Sequence, residues 1–68
     1  MTYQQLTYFY SAAKTLNFSK AAQLCFVAQT AISKQIQNLE SELGVMLFNR
    51  RSKQLELTPA GDNLRVYA

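Results

Sequence analysis

Apolar residues recur at helical spacing in several stretches of this chain and alternate over two short pieces ahead of the last one. The clearest helical pattern covers residues 29–43, QTAISKQIQNLESEL. At about 100° of rotation per residue, Ile32, Ile36, Leu39 and Leu43 follow a 4-3-4 spacing and form one apolar stripe. Gln29, Thr30, Ser33, Lys34 and Gln37 centre on the opposite side. That face carries amides, hydroxyls and one cation, with no carboxylate until Glu40. An ordinary amphipathic helix with a solvated outer face fits this stretch equally well, so its neighbours have to decide.

Upstream, Tyr3 to Leu16 reads as a first helix with Thr2 as N-cap and Leu6, Phe9, Tyr10 and Ala13 as its buried stripe. Its aromatics are expected in or beside the core rather than as a base-stacking platform. Asn17 and Phe18 interrupt the pattern. Ser19 then caps a short helix from Lys20 to Cys25, in which Ala21 and Ala22 are small enough for another helix to approach closely. Lys20 sits in the first turn, where the helix dipole disfavours a cation; solvent or a nearby phosphate would relieve this. Phe26-Val27-Ala28 leaves room only for a tight turn into the 29–43 helix. A short helix, a three-residue turn and a longer helix with a polar outer face make a helix-turn-helix. That geometry sets the N-terminal part of the second helix against base edges, and Gln29, Thr30, Ser33 and Lys34 lie at that end.

Gly44 ends the helix. Leu47-Phe48-Asn49-Arg50 and Leu55-Glu56-Leu57 read as two short strands joined by a turn at Arg51-Ser52-Lys53-Gln54. A basic hairpin directly after a recognition helix is a wing, which lies along the flanking backbone. Thr58 as N-cap and Pro59 at the first helical position start a last helix through Leu64, Val66 and Tyr67. Its apolar pattern is still running at Ala68, so it is expected to be the beginning of a longer helix, cut short. The fold class expected is mostly α: three helices, a two-stranded wing and the start of a linker helix. Residues 1–58 form the winged helix-turn-helix (helix-turn-helix about 18–37, wing about 45–57), and 59–68 begin the linker.

Composition narrows the chemistry. Sixty-eight residues make one small domain, near the lower limit for a core without disulfides or metal. There is no histidine and one cysteine, Cys25, which is expected to be a small buried hydrophobe. Cys/His metal clusters are therefore excluded, and a reducing compartment is the simpler expectation. No apolar run approaches a membrane span, and the start lacks a basic signal-peptide region. With few carboxylates and no glycine-rich phosphate loop, no acid/base or nucleophile constellation assembles, so no enzyme and no cofactor is expected. The net charge is +3, and the only charges from Gly44 through Leu55 are Arg50, Arg51 and Lys53. A short basic cluster becomes informative only when the fold sets it beside the polar face of 29–43.

With these elements placed, the chain resembles the N-terminal DNA-binding domain of the bacterial LysR-type transcriptional regulators over essentially its whole length. The likeness runs through Leu6-x-x-Phe9, Phe18-Ser19-x-Ala21-Ala22 with Leu24 following, and Val27-Ala28-Gln29-Thr30-Ala31-Ile32-Ser33-Lys34-Gln35-Ile36. It continues through Leu39-Glu40-x-x-Leu43-Gly44-x-x-Leu47-Phe48-x-Arg50 to Leu57-Thr58-x-Ala60-Gly61. The ordered set is specific, although no single piece is. It implies a winged helix-turn-helix, a linker helix that pairs two subunits, and a larger effector-binding domain absent here. The implied DNA contacts fall on Gln29, Thr30, Ser33 and Lys34, with Arg50 and Arg51 in the wing. Two positions depart from the pattern: Ala28 stands where a small hydroxyl residue is common, and Thr30 where proline is frequent.

The resulting expectation is sequence-specific binding to double-stranded DNA, with an inverted-repeat operator read by a homodimer formed through the linker helix of the full-length protein. Gln29 and Ser33 would contact base edges, with Gln37 further along the same face and Thr30 reaching a base or a phosphate. Lys34, Lys20, Arg50, Arg51 and Lys53 would mostly contact phosphate. A small-molecule effector would act only through the absent C-terminal domain. The expected location is the bacterial cytoplasm, at the nucleoid, with no membrane partner. A winged helix used for protein–protein contact is the alternative, and it would need an exposed apolar patch on the central helix or wing.

Overall fold

The first turn of the chain is closed from both sides. The Thr2 hydroxyl accepts from the Gln5 N–H at 3.0 Å, and the Gln5 side-chain oxygen accepts from the Thr2 N–H at 3.0 Å. This reciprocal capping box opens helix α1, Tyr3–Thr15, in a computed structural model that describes residues 2–50 and 54–67. Helix α2 spans Phe18–Cys25 and α3 Gln29–Leu43; strands β1 (Phe48–Asn49) and β2 (Glu56–Leu57) follow, then α4, Pro59–Tyr67. The strands pair antiparallel, Phe48 opposite Leu57 and Asn49 opposite Glu56.

Helices α1, α2 and α3 enclose one core in which Phe9, Ala12, Ala21, Ile32, Ile36 and Leu39 are fully buried. Ala21 and Ala22 are the small surface that lets α2 approach its neighbours closely, as their size suggested. The wing contributes Leu47 and Phe48 to the same core. Phe48 is its aromatic hinge: its ring centroid lies 5.5 Å from that of Phe9 and 5.5 Å from that of Phe18. The tilted and edge-on arrangements are those that aromatic quadrupoles favour.

Several expectations change at the level of single residues. Tyr10 is 48% exposed, whereas Tyr8 is 7% exposed and belongs to the core. The two lie about 100° to either side of Phe9, so periodicity could not choose between flanks; the packing of α1 does. Leu6 is only half-buried. Leu43 is 40% exposed and is not part of the buried core, because the stripe it continues runs past the end of that core. Helix α2 begins two residues earlier than expected, and its cap is Asn17, whose side chain accepts from the Lys20 N–H at 3.0 Å. Ser19 lies inside the helix instead. Cys25 is half-buried rather than buried, with its thiol 3.3 Å from the Ser11 hydroxyl.

Helix α4 docks on the wing through close backbone approach. A Cβ at Gly61 would collide with the carbonyl oxygen of Leu47, so this buried position admits only glycine without displacement. The Thr58 hydroxyl accepts from the Gly61 N–H at 3.1 Å as an N-cap and donates to the Met46 carbonyl, while the Thr58 N–H donates to Leu47 at 3.0 Å. Among the described residues, no helix is long and apolar enough to cross a membrane.

Candidate nucleic-acid interface

The turn between α2 and α3 aims the second helix. Phe26 takes the left-handed conformation (φ 57°) at the end of α2, and the Val27 N–H returns to the Ala22 carbonyl at 3.0 Å. Helix α3 then starts at Gln29, with Ala28 at the N-cap position providing no side-chain cap. Its first N–H groups are therefore available to water or to an anion, and no carboxylate occupies the first turn.

Along α3 the outer face is exposed at Gln29, Thr30, Lys34 and Gln37, with Ser33 half-buried among them. None of these side chains is packed into the core. The N-terminal end of that face opens onto a cleft of about 740 Å³ bordered by Asn17, Ser19, Lys20, Gln29, Arg50 and Gln54. The structure thus brings Lys20 of α2, Gln29 of α3 and Arg50 of the wing to one concavity. Further along, Gln37 and Arg50 border a second cleft of about 480 Å³ with Ser41 and Met46. Arg50 therefore borders both clefts, the one at Gln29 and the one at Gln37. Arg51 and Lys53, expected to complete the basic wing, lie outside the described residues.

Arg50 is not a freely extended cation. Its guanidinium donates to Glu40 at 3.2 Å and lies 5.4 Å from the centre of the Phe18 ring, with 31% of the side chain exposed. Glu40 is the buried acid of the domain, 5% exposed. One carboxylate oxygen accepts from the Leu47 N–H at 2.7 Å and the Phe48 N–H at 3.2 Å, and the other receives Arg50. Glu40 thereby ties the last turns of α3 to the start of the wing. Sequence reasoning placed Glu40 merely at the end of the polar face and missed this. The signal available was its place three residues before the last apolar position of the helix, next to buried Leu39.

A second polar link joins the two helices at the cleft. The Ser19 hydroxyl donates to Gln29 Oε1 at 2.7 Å. Sequence reasoning gave Ser19 a capping role and no part in the interface.

A three-helix core whose third helix turns a polar face outward beside a two-stranded ribbon is a winged helix-turn-helix domain. Residues 3–62 match the family described as "Bacterial regulatory helix-turn-helix protein, lysR family", and the chain belongs to that family. It is 49% identical over 57 residues to the HTH-type transcriptional regulator YwbI of Bacillus subtilis, covering 84% of this chain and 19% of that protein. It is 41% identical over 68 residues to the HTH-type transcriptional regulator BenM of Acinetobacter baylyi, covering all of this chain and 22% of BenM. The chain thus spans about a fifth of the length of these relatives. Among solved structures, the BenM DNA-binding domain in complex with catB site 1 DNA superposes with a TM-score of 0.94 at 40% identity, covering 98% of this chain and 75% of that one.

Proposed function

We propose that this domain binds double-stranded DNA sequence-specifically, with the first two turns of α3 in the major groove and the wing along the flanking backbone. The observation that carries the proposal is the convergence of Lys20, Gln29 and Arg50 on one cleft, continuous with the exposed amides, hydroxyl and cation of α3. The BenM domain, of the same fold at 40% identity, was solved with DNA bound. Gln29 and Ser33 are the base-reading groups, Thr30 and Gln37 border them, and Lys20, Lys34, Arg51 and Lys53 neutralise phosphate. Arg50, engaged by Glu40 and Phe18, chiefly holds the wing in place and offers its remaining donors to a phosphate.

The reading is of a regulator's DNA-binding module, cytoplasmic and without catalytic activity. In the full-length protein it works as a homodimer on an inverted repeat, paired through the linker helix that α4 begins. Leu64 of α4 is half-buried against the core of this domain, and the Tyr67 side chain lies outside what is described. Any small-molecule effector binds a C-terminal domain beyond this chain.

Selection of bound sequences from random duplex DNA, with salt titrations on the enriched sites, tests the proposal. Gln29→Ala should flatten preference at one base position, whereas Lys34→Ala should weaken all duplexes alike and lower the salt slope by about one. Recovery of no enriched motif, or the reverse pattern in the two variants, would refute the assignment.

A further inference from the structure

Phe18 opens α2 and Glu40 lies near the end of α3, and each of them holds the wing at two points. The Phe18 ring stands edge-on to Phe48 of β1, and the Arg50 guanidinium carbon lies 5.4 Å from its centre. Glu40 accepts from the Leu47 and Phe48 N–H groups with one oxygen and from Arg50 Nη2 with the other. The backbone leading to Arg50 and the head of its side chain are thus held by the same two residues. Phe18 borders the cleft at Gln29 and Glu40 the cleft at Gln37; among the described residues, Arg50 alone borders both. Because Glu40 engages Nη2, Nε and Nη1 remain as donors of the partly exposed guanidinium.

We propose that Phe18 is a positioning residue for DNA binding, whose ring, together with Glu40, holds the Arg50 guanidinium ready for a phosphate oxygen at the border the two clefts share. An unconstrained arginine gives up the freedom of several torsions when a phosphate fixes it. One already held gives up little, so the ordering cost falls on folding instead of binding. A ring suits this task. It attracts the cation through its face, takes none of the donors, and adds no negative charge beside an approaching phosphate. This role rests on the DNA reading above and goes further, naming the side chain that orients the wing cation from a helix distant in sequence.

The test compares wild type with Phe18→Leu, Phe18→Tyr, Arg50→Ala and the Phe18→Leu/Arg50→Ala double variant, each affinity being corrected for the folded fraction by urea titration. In the DNA-free chain, nitrogen relaxation at Arg50 Nε should show a restricted side chain in wild type and Phe18→Tyr, and a mobile one in Phe18→Leu. Phe18→Leu should weaken every duplex alike by roughly 2- to 10-fold, the ordering cost of one long side chain. The salt slope should stay unchanged, since no charge is removed. Phe18→Tyr keeps the ring and should keep the affinity. In the Arg50→Ala background, Phe18→Leu should still lower the urea midpoint through lost packing on Phe48, yet leave affinity where Arg50→Ala alone puts it. Phe18→Met, also without a ring, gives the same comparison if Phe18→Leu does not fold. An equal loss of affinity in both backgrounds means that Phe18 acts only through the fold, and overturns the inference. So does Phe18→Leu binding as wild type, Phe18→Tyr binding as weakly as Phe18→Leu, or an Arg50 Nε equally restricted in wild type and Phe18→Leu. DNA binding stands in all of these outcomes. A wild-type chain that binds no duplex overturns both readings.

Discussion

Removing the Glu40 carboxylate should do more damage than any change on the DNA-facing surface. In Glu40→Ala the Leu47 and Phe48 N–H groups, now bonded at 2.7 and 3.2 Å, keep their buried positions and lose their acceptor. A buried donor left unsatisfied costs about 1–3 kcal/mol, so the two together cost on the order of 2–6 kcal/mol. Arg50 also loses its partner, but with 31% of its side chain exposed it can turn to water and adds little. A total near 4 kcal/mol is a large share of the ~3–10 kcal/mol expected for a domain of this size. At about 4–8 °C per kcal/mol, melting should fall by roughly 15–30 °C. Arg50→Ala leaves both backbone bonds to Glu40 intact and should cost much less, about 1 kcal/mol, with part of it from lost packing on Phe18. Urea titrations followed by far-ultraviolet circular dichroism give both numbers from the shift in midpoint at constant slope. Glu40→Ala costing under about 1 kcal/mol, or Arg50→Ala costing more than Glu40→Ala, would refute the view that this carboxylate anchors the wing through the backbone.

Gly61→Ala should destabilise by about 1–3 kcal/mol, since the added methyl meets the Leu47 carbonyl and α4 must shift off the wing; an unchanged urea midpoint would contradict that close approach. Ala28→Ser supplies the absent cap of α3 and should stabilise by roughly 0.5–1 kcal/mol, read in the same titration, with a destabilised variant counting against the extended conformation at Ala28. Phe26 is 93% exposed in a left-handed conformation that costs ordinary residues about 1 kcal/mol, so Phe26→Gly should raise the melting temperature by a few degrees rather than lower it.

The wing shows why some of the interface was hidden until the chain was folded. The alternation around Leu55 and Leu57, and the cations that follow Phe48, marked a basic hairpin directly after α3. Nothing local indicated that Arg50 would fold back onto Phe18 and Glu40, residues 32 and 10 positions earlier. The same holds for Ser19. Its place near the start of a helix suggested a cap, and the neighbouring Asn17, equally suited, takes that role. Which of two adjacent capping residues is used depends on where the incoming chain from α1 can lie. That path is fixed by the left-handed turn at Leu16, which no residue preference announces.

Helix positions, the polar face of α3, the stop at Gly44 and the start at Thr58-Pro59 follow from the sequence alone, because each is governed by neighbours within a turn: side-chain periodicity, capping groups and backbone freedom. Tertiary structure alone selected Tyr8 over Tyr10 for the core, buried Glu40 beneath the wing, engaged Arg50 and set Ser19 against Gln29. These outcomes depend on how helices are rotated about their own axes and on which side chains the closing wing meets. Such contacts join residues far apart in the chain, and local propensities carry no information about them until packing brings the partners within reach.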